Sequence, residues 1–208
     1  MGTTDYTKAR RHLARRDPVL RDLIRAHGDC GLADAQHTDP FRALVSAMIS
    51  QQLSAKAAAT IKARLDALVG APLTPKRLDA MGDEALRGVG LSRQKIAYIR
   101  DLCGRVSSGA VALHDFDRMT DEEVVEALIS VKGIGRWTAE MFLMFRLQRA
   151  DVLPVDDLGI VRAFQRHYRM RKAPTPERMA RIAESWRPYR SVACWYLWAA
   201  GDTVPRSS

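Results

Sequence analysis

Cysteine is scarce in this 208-residue chain. Cys30, Cys103 and Cys194 stand far apart, with no CxxC spacing. That argues against a disulfide framework, a zinc site or an iron–sulfur cluster. No apolar run approaches the roughly 20 residues that span a bilayer. The opening stretch, MGTTDYTKARRHLARRDP, is charged where a secretory leader would be apolar, so no membrane partner and a cytoplasmic location are expected. Tyr6 stands where a myristoylation signal needs Ser or Thr. Sustained apolar–polar alternation and Asn-Gly hairpins are missing as well, which removes the strand signals and predicts an all-α protein. With 13 Gly, 9 Pro and 47% hydrophobic residues, the composition is nonetheless that of an ordinary globular chain.

Positive charge is what the chain has in surplus. Thirty-three Lys and Arg against 24 Asp and Glu give a net charge of +9. Such a surplus attracts polyanions in a salt-dependent way, or simply solvates a basic surface.

Helix signals run almost end to end. In DPFRALVSAMIS, Asp39 is placed to cap, Pro40 fits the first turn, and Phe41, Leu44, Val45, Met48 and Ile49 fall at helical spacing. Ser54 is placed to cap the next helix, which carries Ile61, Leu65 and Leu68 on one face and closes at Gly70. Thr120 and Glu123 have capping-box spacing ahead of Val124, Val125, Leu128 and Ile129. The Thr-Pro pairs in GAPLTPKRL and RKAPTPERMA mark helix starts, and SSGAVALHDF reads as a surface loop. The basic N-terminal run KARRHLARRDPVLRDLIRAHG reads as one helix packing through Leu13, Val19, Leu20, Leu23 and Ile24, its charged face either solvated or a DNA-binding arm.

One stretch does not fit a plain bundle. In ISVKGIGRWTAEMF a helix is expected to end at Val131 and another to begin at Arg136, with Gly133 and Gly135 bracketing an inward Ile134. Glycine permits positive φ and leaves no side chain to hold an anion away from the backbone. Amides at such a turn and at the following helix start can bind a phosphate, with Lys132 and Arg136 adding charge. The bland alternative is an αα-corner closed by glycines. DEALRGVGLSRQKIAYIRDL repeats the plan through Gly88, Val89 and Gly90, followed by Arg93 and Lys95, either as a second phosphate contact or as a repeated helix joint.

Together, VKGIGRWTAEMFLMF and DVLPVDDLGIVRAF resemble the helix-hairpin-helix/Gly-Pro-Asp superfamily of DNA glycosylases, and within it the 3-methyladenine DNA glycosylase II (AlkA) type. SAMISQQLSAKAAATI and SWRPYRSVACWYLW extend the likeness from about Pro40 to Gly201. The resemblance implies a single module of two helical lobes with an active-site cleft between them. Lobe A spans 41–154 and contains the helix-hairpin-helix at 120–147; lobe B combines 1–40 with 155–208. With only about 40 residues before the matched region, the compact form of the family, without its N-terminal β-rich domain, is expected.

The same resemblance makes Asp157 the catalytic carboxylate, with Asp156 its competitor and a base-pocket neighbour. A carboxylate suits the task, because breaking an N-glycosidic bond builds positive charge on the sugar. Capping of the following helix is the structural alternative for both acids. Trp137, Trp198, Gln51 and Met141 are the implied pocket residues, with Met141 standing where the type has an aromatic. Lys132, Gly133, Ile134, Gly135, Arg136 and Thr138 are the implied DNA contacts of the hairpin, and Gln52 or Leu53 fills the gap left by a flipped base. Trp137 stands where lyase relatives carry a lysine, which implies monofunctional chemistry. The expected partner is duplex DNA bearing alkylated purines, read by a monomer with no cofactor, in the bacterial-type cytoplasm with the nucleoid. The family also admits a monovalent cation at the hairpin backbone. Another base specificity, or a non-enzymatic DNA-binding module, is the alternative.

Overall fold

The computed structural model describes residues 4–34 and 39–205. Among these, the regular structure is helical, with no strand, in agreement with the missing alternation. No helix among the described residues is long and apolar enough to cross a membrane.

The chain divides into two compact units, His37–Phe142 and Met1–Gln36 with Leu143–Ser207. The first crossing lies in 35–38, outside the described residues. The second falls at Phe142, ahead of the Pro154 boundary read from sequence. The reason is local: residues 149–152 are tied to the last helix, since the Ser191 hydroxyl donates to the Arg149 carbonyl (2.6 Å) and accepts from Val152 N–H (2.9 Å).

Helices α1 (Tyr6–Arg16) and α2 (Pro18–His27) open the chain. The unit that starts at His37 holds α3 (Pro40–Ser50), α4 (Ala55–Val69), α5 (Pro75–Asp79), α6 (Asp83–Gly88), α7 (Arg93–Ser107), α8 (Asp121–Ile129) and α9 (Arg136–Met141). Its helix starts follow the sequence signals. Asp39, Ser54 and Thr74 each accept from the third residue onward, and Thr120 and Glu123 make both bonds of the capping box. Leu44, Met48, Leu65, Leu78, Leu102, Val124 and Leu128 are buried in its core. The segment 107–116 is only partly the loop it was expected to be, because Val111 and Phe116 are buried, with Phe116 edge-on to Phe142 at 5.9 Å.

The other unit combines α1 and α2 with α10 (Leu158–His167), α11 (Pro176–Ala183) and α12 (Arg190–Ala199). The N-terminal run is two helices rather than one. Pro18 has no N–H to continue α1, and Asp17, extended at φ −142°, caps α2 instead. Leu13 and Leu20 are fully buried, whereas Val19, Leu23 and Ile24 are only half-buried.

Asp17 is the buried polar centre of this unit. One carboxylate oxygen accepts from Val19 N–H (2.8 Å) and Leu20 N–H (3.2 Å), the other from the Tyr168 hydroxyl (2.7 Å) and Trp186 Nε1–H (2.9 Å). Burial and the adjacent carboxylate push the Tyr168 hydroxyl pKa up. The donors' rings form the surrounding core, with Phe164 stacked on Trp186 at 5.3 Å and on Tyr168 at 5.4 Å. Replacing Asp17 with Ala strands one buried and one half-buried donor and removes a cap, so urea unfolding is expected to show a loss of about 3 to 5 kcal/mol. A loss below about 1 kcal/mol would mean that the network is not a stabilising centre.

Candidate active site

In the unit that contains α10, Asp157 is the N-cap residue of that helix and is 8% exposed. Pro154 begins the turn that delivers it, the Asp157 N–H donating to the Pro154 carbonyl at 3.2 Å. One carboxylate oxygen, Oδ1, accepts from Ile160 N–H and from Trp198 Nε1–H, both at 2.8 Å. The capping role and a candidate catalytic role therefore fall on one side chain. The N-terminal end of α10 also favours negative charge there.

The approach is close. A Cβ on Gly159 would lie 3.0 Å from Asp157 Oδ1 and 3.1 Å from Trp198 Cδ1, so glycine permits the acid and the indole to meet. α12 holds this loop at both of its ends. At its start, Arg190 Nε donates to Asp151 Oδ1 at 2.8 Å and Ser191 bonds Arg149 and Val152; near its finish, Trp198 reaches Asp157.

The residues that sequence grouped around the acid differ in exposure and role. Asp156 is exposed, one residue away from the buried carboxylate. Trp198 is fully buried, with Phe145 stacked on it at 6.1 Å, so its ring has no face open to a base and its observed role is to hold Asp157. Leu158, which the sequence reading passed over, is 69% exposed directly beside the carboxylate. The available signal was its offset from the buried row Ile160, Ala163 and Phe164.

In the unit that contains the hairpin, α8 ends at Ile129, two residues before the expected Val131, and α9 begins at Arg136 as expected. Ile134 is buried (5% exposed) and anchors the turn. The two glycines serve different ends. Gly133 has φ +83°, and a Cβ there would sit 2.2 Å from the Tyr98 ring. Gly135 has φ −95° and open space where a Cβ would go, so it leaves the first-turn amides of α9 approachable.

Side chains lock the turn from behind. Lys132 N–H donates to Asp101 Oδ2 at 2.9 Å, and Arg105 Nε donates to the same oxygen at 2.9 Å. The backbone bond from Lys132 is the largest cause that holds the Asp101 carboxyl below its usual pKa. The Lys132 side chain is exposed, as a phosphate contact requires. Arg136 is instead paired to Glu122 through two bonds of 3.0 and 2.9 Å and lies 3.5 Å from Glu140, so its charge is largely offset. Trp137 is 44% exposed, whereas Met141 is 9% exposed and Thr138 is half-buried. α9 passes into a π-helical turn at Phe142–Arg146.

The turn between α3 and α4 belongs to the same assembly. The Gln51 side-chain amide donates to the Gly133 carbonyl at 2.8 Å, joining this turn to the hairpin. Gln52 adopts φ +58° and is exposed, and Leu53 is 39% exposed, so both present side chains outward. Lys95 explains how the turn is held. Its ammonium donates to the carbonyls of Ile49 and of Gln51 (2.8 Å to the latter), which satisfies the end of α3, and burial lowers its pKa. The upstream glycine motif is thus a helix joint: Gly90, at φ +106°, packs against Ile61, and Lys95 turns inward to carbonyls. Sequence reading missed Tyr98 and Lys95 in these roles, because their partners lie tens of residues away. Among the described residues no cluster of His, Cys, Asp or Glu could hold a metal ion.

Residues 45–188 match the model for the HhH-GPD superfamily of base excision DNA repair proteins. The chain is 35% identical over 199 residues to DNA-3-methyladenine glycosylase 1 of Schizosaccharomyces pombe, covering 94% of this chain and 87% of that protein. Its fold is similar to the crystal structure of a DNA-3-methyladenine glycosidase from Bacillus halodurans, with a TM-score of 0.86, 39% identity and coverage of 97% and 92%. It is also similar to the S. pombe 3-methyladenine DNA glycosylase in complex with abasic DNA, with a TM-score of 0.78, 33% identity and coverage of 94% and 97%.

Proposed function

The chain belongs to the HhH-GPD superfamily of base excision DNA repair proteins, and on that footing we propose that it is a monofunctional DNA glycosylase releasing alkylated purines from duplex DNA. The observation that carries this reading is Asp157, a nearly buried carboxylate fixed by a helix N-terminus and an indole N–H.

Purines alkylated at N3 or N7 carry a formal positive charge that already weakens the glycosidic bond. As the bond breaks, its electron pair leaves with the base and positive charge develops on the sugar. The Asp157 carboxylate stabilises that charge and orients a water, whose oxygen bonds to the sugar carbon as its O–H bond breaks and the proton passes to the carboxylate. The product is an abasic site.

The hairpin grips phosphate through the amides that Gly135 leaves approachable, with Lys132 adding charge. Trp137 offers an exposed ring for cation–π stacking with a charged base, and tryptophan has no amine to attack the sugar. Gln52 or Leu53, held outward by the turn that Lys95 and Gln51 secure, fills the stack when the base flips. The enzyme acts as a monomer.

Duplexes carrying one 3-methyladenine analogue, 7-methylguanine, hypoxanthine, ethenoadenine or 8-oxoguanine test the substrate class by chromatography of the released base. Release of the cationic alkylpurines in preference to the neutral lesions is expected. Faster release of a neutral oxidised or deaminated base would overturn it.

A further inference from the structure

We propose that the outer face of α1 is a second contact surface for the DNA backbone, separate from the hairpin. Lys8, Arg11 and Arg15 are exposed and recur at helical spacing along one face. They border an open groove of about 890 Å³ whose other wall is Pro188 and Tyr189.

Charge pairing sets these cations apart from several others in the protein. Arg10 is paired with Asp29, Arg187 and Arg190 with Asp151, and Arg136 with Glu122. Lys8, Arg11 and Arg15 are paired with no carboxylate among the described residues. The one acid that lines the groove, Asp5, is engaged as the cap of α1, accepting from Lys8 N–H at 2.9 Å. The surface is also held in place. His12 packs edge-on to Tyr189 at 5.4 Å and lies 3.3 Å from the Ser185 carbonyl, while Leu13 on the opposite face is fully buried.

The spacing suits a nucleic-acid strand. Lys8 to Arg15 covers about 10 Å of helix at about 1.5 Å per residue, close to three phosphate-to-phosphate steps on one strand at about 3.4 Å of axial rise each. Exposed cations without acidic partners release counterions when they meet phosphates, which is the term that governs duplex affinity. A row of cations that meets the phosphates reads no base edge, so the contact is independent of sequence and lesion.

This inference rests on the duplex-DNA reading above, and its test keeps the two apart. Duplex affinity is measured across a salt series for the wild type, for the triple variant Lys8→Gln/Arg11→Gln/Arg15→Gln, and for a control that removes three exposed charges around α11, Lys172→Gln/Arg178→Gln/Arg181→Gln. Thermal unfolding confirms that all three fold. The α1 variant is expected to bind about tenfold or more weakly at low salt and to lose about 2 to 3 from its salt slope, at about 0.9 per phosphate, with the control near wild type. An unchanged slope, or equal weakening in the control, would overturn the surface. A wild type without salt-dependent duplex binding would overturn the DNA reading and this surface with it.

Discussion

Asp157→Asn is expected to lower single-turnover base release from methylated duplex DNA by about 10³-fold or more, an effect of the size seen when a transition-state charge partner or an acid–base group is removed. The substitution separates chemistry from architecture. Asparagine is a good N-cap, and its carbonyl oxygen can accept the same two bonds, from Ile160 N–H and Trp198 Nε1–H, that Asp157 Oδ1 accepts. Unfolding free energy should therefore change by less than about 1 kcal/mol. What disappears is the negative charge that the proposed mechanism sets against the developing cation. Asp156→Asn is the matched control: that side chain is exposed, so little effect is expected. Full activity in the Asp157 variant with loss in the Asp156 variant would move the catalytic role by one residue.

The second large effect belongs to Gly133. Alanine there must adopt φ +83° and place a Cβ 2.2 Å from the Tyr98 ring. Left-handed strain of about 1 to 2 kcal/mol and overpacking of about 1 to 3 kcal/mol predict a stability loss near 3 kcal/mol. Because the Gly133 carbonyl also accepts from Gln51, the distortion spreads to the turn that carries Gln52. Duplex affinity should fall about a hundredfold, about 2.7 kcal/mol. Adding Tyr98→Ala should recover the overpacking part and leave the backbone strain. Gly135→Ala should behave differently, since nothing lies within 4 Å of its added Cβ. It should fold normally yet bind duplex weakly, because the methyl would stand in the proposed phosphate contact. Equal behaviour of the two alanine variants in both assays would contradict the division of labour between the glycines.

The parts of this fold that were legible in sequence are those set by neighbours in the chain. Asp39, Ser54, Thr74, Thr120 and Thr175 cap helices a few residues ahead, so their types and spacing announce the starts. The break between α1 and α2 was equally local, and the Asp17-Pro18 pair could have revealed it. Roles that depend on distant partners were hidden. Asp157 and Trp198 meet across 41 residues, and only the fold shows that the tryptophan serves the acid from inside the core. Lys95 looked like a phosphate ligand by its place in the glycine motif, yet it reaches back 44 residues to the Gln51 carbonyl. Arg136 likewise read as a free cation until Glu122, 14 residues earlier, was found beside it. Family likeness pointed to Asp157, and the hydrogen bonds explain why that acid, and not its neighbour, is the rigid one.

The most direct test of a carboxylate-driven, amine-free excision is to incubate excess wild-type protein with end-labelled methylated duplex and score released base, strand breaks before and after alkali, and covalent capture under borohydride. Free alkylpurine, breaks only after alkali and no trapped protein–DNA adduct are the predicted results. A borohydride-trapped adduct with breaks before alkali would contradict it, and would turn attention from Asp157 to a lysine such as Lys132.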